Sequence, residues 1–191
     1  RPNKCYHFDK GGNIEIHYTK KLNPQSMTIS LWSKKQLLDR TLSTDSYYLV
    51  AMNRWNGYKL QYQSQNKIFF TVKWADNSYY DRDDQTVILD NEVWYHVAVT
   101  FKPGEMDFYI NGELIYSWTD TPNPPITLTN PVNLVIGQDL PTDKYSLDAN
   151  DVDHYVNYGG FFTGDIDDVM FFNAALNAEQ IKLIFAHQSR P

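Results

Sequence analysis

WYHVAVTFKPGEMDFYINGELIY, which spans residues 94–116, carries the clearest structural signal in the chain. Its apolar alternation predicts a first strand over 93–101 and, after a Pro-Gly turn, a second over 106–110. Asn111-Gly112 then predicts a two-residue hairpin of type I′, because both residues tolerate positive φ and apolar runs lie on either side. Three successive antiparallel strands favour a sandwich of two packed sheets.

Period-two alternation and turn residues recur along the whole chain, so an all-β architecture is expected. One short helix is predicted near the C-terminus, where Asn177 caps it and Gln180 completes a capping box. We therefore predict one domain over 1–191, a two-sheet antiparallel β-sandwich with a short C-terminal helix. Further strands are predicted near residues 13–17, 27–32, 47–53, 58–63, 68–74, 86–89, 132–137 and 165–172.

Composition narrows the range of partners. The 191 residues carry a net charge of −6, which gives no basic footprint for nucleic acid or anionic lipid. No apolar run approaches the roughly 18 residues that a membrane-spanning helix requires, so no membrane insertion is expected. Cys5 is the single cysteine and can close neither an internal disulfide nor a zinc site. Aromatic residues reach 15%, well above the content of an ordinary domain. Most of them must serve the core, although tyrosine is also enriched at surfaces built for contact.

An acidic, tyrosine-rich segment over 139–160 is the main functional candidate, because structureless loops of that length are usually functional or disordered. Oxygen donors at this density suit calcium, although the spacing does not fit an EF-hand, and a solvated acidic loop is the alternative. Tyrosine rings beside such oxygens also suit sugars, whose C–H bonds stack on rings while hydroxyls form hydrogen bonds. The aspartates are Asp139, Asp143, Asp148, Asp151 and Asp153, and the tyrosines are Tyr145, Tyr155 and Tyr158.

A second set of carboxylates lies at the two ends of the chain. Asp167 and Asp168 open a strand that soon becomes apolar, and a carboxylate entering a core must be paired, hydrogen-bonded or metal-bound. Asp9 stands at a strand-to-turn junction. Capping of backbone amides and an Asx-type turn are the alternatives to metal binding.

Catalysis has one superficial candidate. Glu105 and Asp107 share one face of a strand, as in the Glu-x-Asp-x-x-Glu strand of laminarinase-type glycoside hydrolases. The acid/base carboxylate is missing, however, because Tyr109 and Ile110 stand where it would fall. We therefore expect no hydrolase or lyase activity.

Several segments resemble laminin G-like, concanavalin A-type jelly-roll domains, in the expected order along the chain. The most specific is Gly164–Asn173 (GDIDDVMFFN) followed by Ala175-Leu176 and Glu179–Ile181. The others are FDKGGNIEI at 8–16, MTISLW at 27–32, WYHVAVTF at 94–101 and FYING at 108–112. Members of this broad family are mostly carbohydrate- or protein-binding modules of larger extracellular or cell-surface proteins.

A closer resemblance is to pentraxins, on Gly137-Gln138-Asp139 and Gly164-Asp165-Ile166. It implies a calcium site in which Asp139 and Asp143 lie close to Asn56. The pentraxin Asp-Asn pair is reduced here to Asn56 alone, so a single calcium is implied rather than two. A competing calcium site would join Asp9 to Asp167 or Asp168, where the first and last strands of a jelly roll lie side by side.

Together these observations lead to a non-catalytic, lectin-like module that binds a glycan, with calcium fixing a binding loop. Trp55, Tyr145, Tyr155 and Tyr158 are the predicted ligand-binding residues. Weak single-site affinity would be raised by multivalency. A protein-binding adhesion or receptor-binding module is the alternative, and an extracellular or cell-surface location is expected for both.

Overall fold

The computed structural model describes residues 4–9, 11–36, 47–63, 66–73, 78–83, 86–121 and 131–189. Within those ranges it contains twelve β-strands and one α-helix, together with short 3₁₀ turns. The strands are β1 Tyr6–Phe8, β2 Ile14–Ile16, β3 Met27–Lys35, β4 Tyr47–Met52, β5 Tyr58–Gln63, β6 Lys67–Lys73, β7 Tyr79–Asp83, β8 Trp94–Lys102, β9 Glu105–Ile110, β10 Glu113–Trp118, β11 Leu134–Ile136 and β12 Gly164–Phe172. The helix, α1, spans Ala178–Gln188.

The strands form two six-stranded sheets over the part of the chain that is described. One sheet has the order β1-β12-β3-β8-β9-β10, and the other has the order β2-β11-β4-β5-β6-β7. All neighbouring pairs are antiparallel. The predicted two-sheet antiparallel sandwich with one C-terminal helix is confirmed.

The hairpin at Asn111-Gly112 has the predicted form. Ile110 pairs with Glu113, and the two turn residues have φ values of 51° and 80°. Positive φ at both positions identifies a type I′ turn, whose twist matches that of the flanking strands. The side chain of Asn111 also accepts a hydrogen bond from the backbone N–H of His96 at 3.0 Å. This bond ties the turn to β8, the strand that precedes the hairpin.

Large aromatic side chains fill the space between the sheets. Phe162 is fully buried, and its ring contacts those of Phe8 at 6.3 Å, Tyr47 at 6.4 Å and Tyr62 at 6.3 Å between centroids. The Tyr62 hydroxyl and Ser33 Oγ lie 2.6 Å apart, so this buried phenol keeps a hydrogen-bond partner. Much of the aromatic excess therefore serves the core.

Helix α1 covers part of the outer face of the sheet that contains β3 and β8. Asn177 and Gln180 form the predicted capping box, with both bonds at 2.9 Å. Phe185 stacks on Trp32 at 5.6 Å between ring centroids, and the Trp32 indole donates to Gln188 at 3.0 Å. Trp32 is consequently only 7% exposed, although its alternation with inward-facing residues predicts an outward side chain. The helix closes this region of the outer face.

The predicted strand near 86–89 is wrong, since no strand is present there. Ile88 is 61% exposed, and the backbone N–H of Leu89 donates to the Asn66 carbonyl at 3.1 Å instead of joining a ladder. The short edge strand β7 was not predicted, because tyrosine and charged residues there hide the apolar alternation. Trp74, at the end of the predicted strand 68–74, lies outside the described residues.

Candidate functional site

A strained turn between β4 and β5 forms the base of the candidate site. Asn53 and Arg54 both have left-handed backbone conformations, with φ values of 61° and 49°. Such conformations cost non-glycine residues about 1–3 kcal/mol each and persist only where the surroundings enforce them. A single 3₁₀ turn over Arg54–Asn56 follows, in which the Arg54 side chain is fully buried and Trp55 is partly exposed.

The Arg54 guanidinium joins this turn to the 139–160 loop. Its Nε donates to the Asp139 carboxylate at 2.5 Å. Its Nη1 donates to the carbonyl oxygens of Asp153 at 3.0 Å and Tyr155 at 3.2 Å. Three loop positions are thus held by one buried cation.

Asp139 is the buried counterpart of Arg54, at 0% exposure. Its second carboxylate oxygen accepts from the Tyr145 hydroxyl and from the backbone N–H of Gly160 at 3.2 Å. Burial, together with the negative charge of Asp139, raises the pKa of Tyr145. Tyr145 therefore stays protonated and serves as a hydrogen-bond donor within the loop.

The structure brings together all four aromatic residues predicted to bind ligand. Trp55 and Tyr158 lie 6.4 Å apart between ring centroids, and Tyr155 meets Tyr158 edge-on at 5.2 Å. The Arg54 guanidinium lies 5.2 Å from the Trp55 ring and 5.7 Å from the Tyr145 ring. Trp55, Tyr155 and Tyr158 form the aromatic cluster, and Tyr158 is 45% exposed, so part of the cluster faces solvent.

A polar cavity of about 310 Å³ lies beside the cluster. Asn56 and His154, which line it, are the chain neighbours of Trp55 and Tyr155. His154 Nδ1 lies 2.9 Å from the Asp151 carboxylate, which orients the imidazole. Residues with amide, ammonium, carboxylate and imidazole side chains thus line one concave surface. The full lining is Asn53, Asn56, Pro131, Val132, Lys144, Asp153 and His154.

The residues of the first predicted calcium site are not arranged to bind a calcium ion. The Asp139 carboxylate is fully buried and is bound by Arg54, while Asn56 Oδ1 accepts from the Lys73 ammonium at 2.8 Å. Asp143 is exposed and pairs with its neighbour Lys144 at 3.0 Å. The loop oxygens are therefore held by cationic side chains of the chain itself.

In the second predicted calcium site, the strand register keeps the Asp9 and Asp167 carboxylates apart. The first and last strands, β1 and β12, do lie side by side, and Phe8 pairs with Gly164. Extending this register places Asp9 four positions from Asp167, or about 13 Å at 3.3 Å per residue. Asp168 has a φ of 49° in an irregularity of β12, and its backbone N–H donates to the Asp167 side chain at 2.9 Å. Nowhere in the described ranges do three His, Cys, Asp or Glu side chains form a metal-binding group.

Lys59 is a site residue that the sequence analysis missed. It lies on the outer face of β5, is 4% exposed, and has its ammonium 5.5, 5.2 and 5.6 Å from the ring centroids of Tyr48, Trp55 and Phe69. Burial lowers the pKa of Lys59 to about 8, with Arg54 adding to the effect and Asp81 and Asp139 opposing it. Its alternation with the inward-facing Leu60 predicts that the Lys59 side chain faces outward. This pattern does not indicate that aromatic rings surround it.

We expect the buried ammonium of Lys59 to make stability rise with alkaline pH. Because its pKa is about 8 when folded and 10.5 when unfolded, the unfolded chain binds more protons between these values. The free energy of unfolding should therefore increase through this window, by at most about 1.4 kcal/mol per pH unit. Urea denaturation at several pH values, for the wild type and Lys59→Met, measures the contribution as a difference. Identical pH profiles for the two proteins would contradict it.

Glu105 and Asp107, the candidate catalytic carboxylates, line a cavity beside the start of α1, and no residue of the aromatic cluster lines it. Glu105 pairs with Lys102 at 3.0 Å. Asp107 is 8% exposed and accepts from the Tyr109 hydroxyl at 3.2 Å. The described residues that line this cavity include no third carboxylate for the acid/base role.

No described helix is long and apolar enough to cross a membrane.

Solved structures with a similar fold include toxin and carbohydrate-binding domains and a pentraxin. The binding domain of Paraclostridial Mosquitocidal Protein 1 has a TM-score of 0.68 at 18% identity, over 94% of this chain and 42% of that one. The native heptameric SAP-like pentraxin from Limulus polyphemus gives 0.58 at 14%, over 95% and 80%. The CBM40 domain of the Ruminococcus gnavus IT-sialidase, bound to α2,3-sialyllactose, gives 0.69 at 15%, over 96% of both chains. The chain thus spans less than half the length of the first of these structures.

A laminin G family model covers nearly the whole chain. It is described as the concanavalin A-like lectin/glucanases superfamily and matches residues 8–182. No curated protein matches the chain significantly. The family match and the solved structures confirm the resemblance to laminin G-like and pentraxin-like domains. The chain belongs to the concanavalin A-like lectin/glucanases superfamily.

Proposed function

We propose that this protein is a non-catalytic, carbohydrate-binding module of an extracellular or cell-surface protein. The observation that carries the proposal is the aromatic cluster of Trp55, Tyr155 and Tyr158 beside the 310 Å³ polar cavity. Aromatic rings supply large, rigid contact area, and a few placed polar groups give orientation and specificity. A sugar ring stacked on the cluster would have its hydroxyls within reach of the cavity.

The cavity also offers different donors for different parts of a sugar. The side chains of Asn53 and Asn56 provide amides suited to hydroxyls, and Lys144 provides an ammonium suited to a carboxylate. Asp153 provides an acceptor for further hydroxyls. The similar CBM40 domain was solved with a sialylated sugar, which has both hydroxyls and a carboxylate. Sialylated and neutral glycans are therefore the ligands to compare.

Removing the Trp55 ring should weaken glycan binding at least about tenfold, because the stacking surface contributes more than about 1.4 kcal/mol. A glycan array with neutral and sialylated sugars identifies the ligand, and titration of Trp55→Ala measures the loss. Trp94→Ala is the matched control, since Trp94 is also partly exposed but lies at the start of β8. Equal losses in the two variants, or no glycan binding by the wild type, would contradict the proposal.

Protein binding is the second candidate, because the same loop exposes apolar side chains. Leu147 is 88% exposed and Val152 is 54% exposed. Exposed apolar side chains gain free energy when a protein partner removes them from water. A wild type that binds no glycan on the array but contacts a protein through Leu147 would favour this candidate.

A further inference from the structure

We propose that Arg54 takes the place of a calcium ion in this domain, so that the 139–160 loop is ordered by the chain's own guanidinium. Ligand binding would then be independent of divalent cations, a consequence that rests on the proposed function. Arg54 is a positioning residue in this account, because it acts through the loop that carries Tyr155 and Tyr158.

The oxygen atoms around Arg54 are the type that calcium binds. Calcium takes carboxylate and backbone carbonyl oxygens, usually six to eight of them. Here one carboxylate oxygen of Asp139 and the carbonyls of Asp153 and Tyr155 converge on the guanidinium at 2.5, 3.0 and 3.2 Å. These are direct hydrogen-bond distances, which leave no space for an ion between the groups.

The surroundings are shaped to the guanidinium. A Cβ atom at Gly159 would lie 2.8 Å from Arg54 Nη2, 2.6 Å from the Tyr145 ring and 3.1 Å from Asp139 Oδ1. Only glycine therefore fits without displacing the ion pair. The rings of Trp55 and Tyr145 lie within cation–π distance of the guanidinium.

The backbone of the turn is fitted to the same arrangement. The backbone N–H of Arg54 donates to the Asp139 carbonyl at 3.3 Å, so both main chain and side chain of Arg54 bind Asp139. These bonds hold the left-handed conformation of Asn53 and Arg54, which costs free energy and needs such enforcement. Asn56 Oδ1, which also belongs to the predicted calcium site, likewise accepts a hydrogen bond from the Lys73 ammonium.

Thermal melting of the wild type in calcium chloride and in EDTA tests the proposal without any ligand. We expect the two melting temperatures to agree within about 1 °C, because no ion binds preferentially to the folded state. A fall of more than about 3 °C in EDTA would overturn the proposal.

Three substitutions separate a cation requirement from simple packing. Arg54→Ala should lower the melting temperature by about 6–12 °C, because it leaves the buried Asp139 carboxylate uncompensated. Arg54→Lys keeps the positive charge and should recover part of that loss, whereas the neutral Arg54→Gln should recover none. If Arg54→Gln melts as high as Arg54→Lys, charge is not what the loop requires and the proposal is wrong. If Arg54→Ala fails to fold, the proposal is still tested by the wild type in calcium chloride and EDTA, and by the melting temperatures of Arg54→Lys and Arg54→Gln.

Glycan binding gives the second readout. Wild-type affinity for the best glycan on the array should change less than about twofold between calcium chloride and EDTA. A loss of tenfold or more in EDTA would overturn calcium independence. A protein that binds no glycan in either buffer would contradict the proposed function, while the melting comparisons would still test the role of Arg54.

Discussion

Asp139→Asn should lower the free energy of unfolding by about 3–5 kcal/mol, as when one partner of a buried ion pair is removed. The substitution keeps the shape of the side chain but leaves the fully buried Arg54 guanidinium without its counter-charge. Asparagine also presents one oxygen where the carboxylate presents two, so Tyr145 and Gly160 compete with Arg54 for it. Urea denaturation measures the loss as a shift of the midpoint at constant slope.

Asp143→Asn is the matched control for this prediction. Asp143 belongs to the same loop and also pairs with a cation, but the Asp143–Lys144 pair is exposed. Exposed pairs contribute little, so this variant should stay within about 0.5 kcal/mol of the wild type. If Asp139→Asn costs less than about 1 kcal/mol, the buried pair does not stabilise the loop as we infer.

Phe162→Ala should also cost about 3–5 kcal/mol, because it removes a fully buried ring from the centre of the sandwich. The ring contacts three other aromatic rings, and the backbone N–H of Phe162 donates to the Gly137 carbonyl at 2.8 Å. Phe162 therefore anchors the C-terminal end of the loop in the core. Chemical denaturation gives the loss in stability, and glycan titration of the variant reports whether the loop keeps its form.

Phe161→Ala removes the same side chain from the adjacent position, which is only partly buried. Its cost should be less than half that of Phe162→Ala, because less apolar surface returns to water. Equal costs at the two positions would show that Phe162 has no special place in the core.

Local patterns predicted the elements well, because the interactions that decide them are local. The Asn111-Gly112 turn and the Asn177 cap each depend on a few adjacent residues, and both have the predicted geometry. Strand register depends on distant residues. The pairing of the first and last strands was expected, but their register, which separates Asp9 from Asp167, had no signal in the sequence.

The sequence indicated that the 139–160 loop is rich in oxygen ligands, but not which cation binds three of them. If any of the five aspartates in the loop is buried, it requires a positive counter-charge. The basic residue Arg54, next to Trp55 in the sequence, was the one sign of where that charge could come from. A turn residue between two strands has no periodicity from which burial can be read. Its full burial depends on the left-handed backbone at Asn53 and Arg54, which only the folded chain reveals.

The central claim is that a glycan binds at the aromatic cluster and its cavity. Backbone ¹⁵N–¹H NMR spectra, recorded during titration with the best glycan from the array, test it most directly. We predict shifted signals at Asn53–Asn56, Lys144 and 153–158, with unchanged signals along α1. Shifts concentrated at Glu105, Asp107 and the start of α1, or no shifts at a saturating glycan concentration, would contradict the claim.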